Sequence, residues 1–138
     1  MRRAERTVTD QPVIATRTLK VEGRKRPAVV TFHAPRQTGD EEWACAWRVT
    51  GMRKARDAYG VDAVQALSLA LQAVRQHLDA SSLRYTWLGI DSGNHGFEQT
   101  IFTGYGMDFA RRMARMIERE TTRYVRRHVP HRRQRRDR

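Results

Sequence analysis

The chain is 138 residues long, with 27 Lys or Arg against 15 Asp or Glu; it has room for one domain with a core and carries a formal charge of +12. Hydrophobic residues make up 39%, below the usual globular share, so part of the length is expected to lie outside the core. The single Cys45 excludes a disulfide-stapled fold, and the strongest apolar run, residues 63–74, falls well short of the ~20 residues a membrane-spanning helix needs.

The first residues, MRRAERTVTDQP, contain no apolar segment, so no secretory signal is expected. A small chain without disulfides fits a reducing, cytoplasmic setting. Residues 1–11 are polar and charged and read as a flexible lead-in. From Val13 to Val21 the pattern alternates, with Val13, Ala15, Leu19 and Val21 on one face and Arg17 interrupting them. Such alternation predicts a strand with one solvated side. Gly23 to Pro27 supplies turn residues, and Ala28 to His33 predicts a second strand. Residues 35–42 read as a polar loop. The sharpest period-2 signal follows, over residues 43–50, with Trp43, Cys45, Trp47 and Val49 on the core side and Ala44, Ala46, Arg48 and Thr50 on the other.

Three such strands need a cover on one face. The spacing of Val64, Leu67, Leu71, Val74 and Leu78 predicts a helix over 62–80 that provides it. Ala63, Ala66, Ala70 and Ala73 flank that stripe, and Asp62 with Gln65 forms a capping-box pattern. Residues 84–88 read as a short aromatic strand and 89–96 as a glycine-rich loop. Asp108 is the expected N-cap of a last helix ending near His128, before Pro130. The expectation is therefore one α+β domain over 12–128. It holds an antiparallel three- or four-stranded sheet, one covering helix and an amphipathic C-terminal helix, followed by a disordered Arg-rich tail at 129–138.

Tyr59-Gly60-Val61-Asp62-Ala63, with Gln65-Ala66-Leu67, Leu69-Ala70-Leu71, Thr86-Trp87-Leu88-Gly89 and His95-Gly96-Phe97, resembles a bacterial family of short standalone proteins classed as a domain of unknown function. The resemblance spans roughly residues 12–120. It implies a small α+β fold and carries no activity or catalytic residues with it.

The charge is unevenly placed. Residues 106–138 hold 12 basic and 4 acidic side chains, a net +8. At about 100° per residue, Ala110, Met113, Ala114, Ile117, Thr121, Tyr124 and Val125 gather on one side of the last helix, which is expected to be buried. Arg111, Arg112, Arg115, Arg119, Arg123, Arg126 and Arg127 gather opposite them, and the ridge continues into the tail through Arg132 and Arg133. A solvated face could account for such a ridge, but Glu118 and Glu120 are too few to neutralise it. The leading expectation is a non-enzymatic module that contacts nucleic acid or an acidic protein surface through these arginines. The alternative is a small protein that binds one specific protein partner, such as a toxin-immunity protein.

Other constellations favour structural roles. Asp91, His95 and Glu98 cluster on the glycine-rich loop, but no orienting group is evident elsewhere in the sequence. Cys45 alternates with tryptophans and reads as a small hydrophobe. His128 and His131 flank Pro130 in a poor ligand frame. No phosphate-loop, dinucleotide, zinc or nucleophile-elbow motif is present, so no cofactor, metal or catalytic residue is assigned.

Overall fold

The computed structural model describes residues 10–101 and 103–129. The chain divides into two compact units, Met1–Gln99 and Thr100–Arg138.

The first unit is an antiparallel sheet covered by one helix. Its strands are β1 (Val13–Val21), β2 (Ala28–His33), β3 (Arg36–Gly39), β4 (Glu42–Val49), β5 (Arg56–Gly60) and, after the helix α1 (Ala63–Ala80), β6 (Tyr85–Thr86). Strand order is β3-β4-β2-β1-β6, with β5 paired to β4. The α+β class and the single covering helix agree with the sequence. Two of the strands do not. Residues 36–39, expected as loop, pair with β4 across a tight turn, and 56–60 form a further strand along β4. Both are short and polar, and their pairing depends on β4 rather than on any pattern of their own.

Leu19 and Val21 of β1, Val30 and Phe32 of β2, and Cys45, Trp47 and Val49 of β4 meet Ala66, Ala70, Val74 and Leu78 of α1 in the core. On β1 only the second half of the expected apolar face is buried; Val13 and Ala15 are exposed. The helix is also rolled relative to its largest side chains. Val64 is 78% exposed and Leu71 42%, whereas Ala66 and Ala70 are fully buried. Close approach explains the roll. A Cβ built on Gly60 would stand 2.4 Å from the Ala66 nitrogen, so β5 and the first turn of α1 touch backbone to backbone. The small alanines face the sheet because larger side chains would hold the helix off it. Asp62 caps α1 by accepting from the Gln65 amide at 2.7 Å, and the Gln65 side chain accepts from Val61 at 2.8 Å. The reciprocal bond thus reaches one residue further back than the expected capping box.

On the reverse face of β4, Ala44 and Ala46 are buried as well. Arg36 lies opposite Ala44, and Asp57 opposite Ala46. Their side chains meet in a two-bonded ion pair, 2.9 and 2.7 Å, both mostly buried. The small methyl side chains at 44 and 46 leave room for that bridge across the strand.

Cys45 points into the core and donates its thiol hydrogen to the His33 carbonyl at 3.4 Å. Burial, with Asp57 adding to it, pushes its pKa up to about 11. The thiolate is therefore scarce at neutral pH. Iodoacetamide at pH 8 should leave Cys45 unlabelled in the folded protein and label it fully in denaturant. Rapid labelling of the native protein would contradict this placement.

The second unit contains one element among the described residues, the helix α2 (Met107–His128). Its N-cap is Gly106, at φ 96°, not the expected Asp108, which sits in the first turn. Glycine reaches that left-handed backbone without the steric cost other residues carry. Asp108 still favours the positive end of the helix dipole. The helix ends at His128, as the sequence indicates. The lead-in at 1–9 and the tail from 130 onward lie outside the described residues.

Candidate nucleic-acid interface

All seven arginines of α2 are exposed. Arg112, Arg115, Arg119, Arg123 and Arg126 follow one another at spacings of three and four, which sets them in a row along one face. At 1.5 Å per residue the row is about 21 Å long. Among the described residues these arginines form two ion pairs, both within the helix: Arg123 with Glu120 at 2.6 Å and Arg111 with Asp108 at 3.9 Å. Among the described residues no acidic group lies within ion-pair distance of Arg112, Arg115, Arg119, Arg126 or Arg127. The side chains of Arg119, Arg123, Arg126 and Arg127, with Glu118 and Thr122, border a shallow concavity. Arg132 and Arg133 lie outside the described residues.

The opposite face departs from expectation. Ala110 is buried and Met113 half-buried, but Ala114, Ile117, Thr121, Tyr124 and Val125 are exposed. A helix buries a stripe only against another element, and among its described residues this unit has none. Tyr124 instead stacks on His128, centroids 4.2 Å apart, and the His128 Nδ1–H donates to the Tyr124 carbonyl at 3.1 Å. Tyr105 meets Phe109 edge to face at 5.4 Å.

The acidic and imidazole cluster at 91–98 is not assembled as a site. His95 is buried and turns to Asp79 of α1, Nε2 to Oδ1 at 2.8 Å, while its Nδ1 accepts the Phe97 amide at 3.1 Å. Those two bonds fix the neutral tautomer with the hydrogen on Nε2. They also occupy both ring nitrogens, and neither partner is Asp91 or Glu98. The orienting group that the sequence concealed is Asp79, 16 residues upstream on the helix. No group of three or more His, Cys, Asp or Glu among the described residues is placed to hold a metal ion.

The interruption at Arg17 now has a reason. Its guanidinium lies 4.0 Å from the Trp87 ring and 4.5 Å from the Phe97 ring. Such cation–π contacts tie the loop after β6 to the sheet where the apolar core ends. Gly96, at φ 76°, makes the packing possible, since a Cβ there would stand 2.3 Å from the Trp87 ring. The signal was an arginine in phase with Leu19 and Val21.

Fold and geometry thus define an α+β sheet-and-helix domain followed by a basic amphipathic helix. The family described as Domain of unknown function (DUF6968) matches residues 15–99, and the chain belongs to that family. The match ends at the boundary between the two units, so it does not extend to the arginine ridge. No curated protein and no solved structure matches the chain. Among the described residues no helix is long and apolar enough to cross a membrane.

Proposed function

We propose that the protein is a nucleic-acid-binding module that holds phosphates through the arginine ridge of α2. One observation carries the reading: five exposed arginines of one helix have no acidic partner within ion-pair distance among the described residues. Ion pairing inside a protein consumes cationic capacity; these side chains retain theirs for an external anion. Guanidinium groups bind phosphate oxygens through two parallel N–H donors, and each phosphate neutralised releases counterions. The ridge residues are bound to a rigid helix, so their spacing is set before the partner arrives. Asparagine and glutamine, the usual adenine readers, are absent from α2, and we read its arginines as contacts to the phosphate backbone.

The test replaces Arg115, Arg119 and Arg126 with glutamine together, which keeps helix propensity and removes three charges. Affinity for a mixed-sequence DNA should fall about a hundredfold at ~50 mM salt, with circular dichroism unchanged. Arg24→Gln, in the turn between β1 and β2, should leave affinity within about twofold. Equal affinity of the wild-type chain for poly-glutamate would contradict the reading and favour an acidic protein surface.

A further inference from the structure

We infer that the partner is a nucleic-acid duplex gripped along its phosphates, and not a single strand held by stacked bases. This rests on the reading above and specifies its ligand. Proteins that hold single strands combine a basic groove with aromatic rings on which successive bases stack. The ridge of α2 has no such platform. Tyr124 lies about 140° around the helix from the middle of the ridge, and its ring is already stacked on His128. Phe109, at the edge of the apolar side, packs on Tyr105. No Phe, Tyr or Trp follows Tyr124 in the sequence.

What α2 does offer is a row of exposed arginines along one face of the helix, about 21 Å from first to last. A duplex presents a dense array of phosphates, one charge per ~1.7 Å of its axis, already fixed in space. A single strand would have to be straightened along the row, losing chain entropy with no aromatic stacking along the row in return. A phosphate-only grip of this kind also carries no sequence preference.

The experiment uses the full chain and a fluorescent 20-base-pair DNA duplex, in competition with each separated strand and with oligo-dT at equal phosphate concentration. The duplex should compete at least about tenfold better than any single strand, and two duplexes of unrelated sequence should compete equally. Tyr124→Ala should leave both affinities unchanged. Single strands that compete as well as the duplex, or a selective loss of single-strand binding in Tyr124→Ala, would overturn the inference while leaving the phosphate-binding reading intact. Failure of every nucleic acid to bind at low salt would remove both.

Discussion

Gly60→Ala should destabilise the sheet-and-helix unit by about 3 kcal/mol, the range of severe packing and backbone-clash substitutions. The added methyl would meet the Ala66 nitrogen, the Gln65 carbonyl carbon and the Gln65 Cβ, all within 2.9 Å. Two of those three atoms are backbone, so no rotamer change relieves the clash. The helix must rise from β5, which opens the core at Ala66 and Ala70, where α1 lies closest to the sheet. A thermal melt should show a drop of roughly 10 °C or more, given about 4–8 °C per kcal/mol for a domain of this size. A melting point within about 2 °C of the parent would show that α1 does not press on β5 as described.

Asp57→Ala should be nearly as damaging, for an electrostatic reason. The carboxylate takes both hydrogen bonds of the Arg36 guanidinium, and each side chain is only about one-seventh exposed (15% and 14%). Asp57 also drives up the pKa of Arg36 against the opposing effect of burial. Without it, a positive charge remains over Ala44 and Ala46 with little water to solvate it. Breaking such a pair from one side costs about 2–4 kcal/mol, whereas replacing both partners by apolar groups is often close to neutral. Urea unfolding should therefore show a large loss for Asp57→Ala and substantial recovery in Arg36→Met/Asp57→Leu. A double variant no more stable than the single one would contradict the charge explanation.

What the sequence disclosed follows from which signals are local. The central strand and α1 could be read directly, because tryptophan alternation and an Asp62 cap are properties of consecutive residues. The two strands beside β4 could not: Arg36–Gly39 and Arg56–Gly60 are polar and short, and only pairing makes them strands. The roll of α1 was hidden for a different reason. Periodicity weighted Val64 and Leu71 by their size, but the glycine at position 60 rewards small side chains on the facing side. Arg17 and Asp79 each act through partners more than a dozen residues distant, so neither role follows from spacing.

The candidate site divides along the same line. Segregation of arginines from apolar residues on α2 depends only on helical geometry, and it was legible. Whether the apolar side is covered depends on a second element, and Ile117, Tyr124 and Val125 proved exposed. The Asp91, His95 and Glu98 cluster was close in sequence but not in bonding. His95 belongs to Asp79 and the Phe97 amide, which makes it a fastener for the loop.

The arginine ridge as a phosphate contact is tested most directly by the salt dependence of duplex binding. A plot of log affinity against log salt should have a slope of about −4 or steeper for five engaged arginines, and the slope should become shallower by about 2.7 when Arg115, Arg119 and Arg126 are replaced with glutamine. A flat plot, or one that those substitutions leave unchanged, would contradict the assignment of α2 as the binding element.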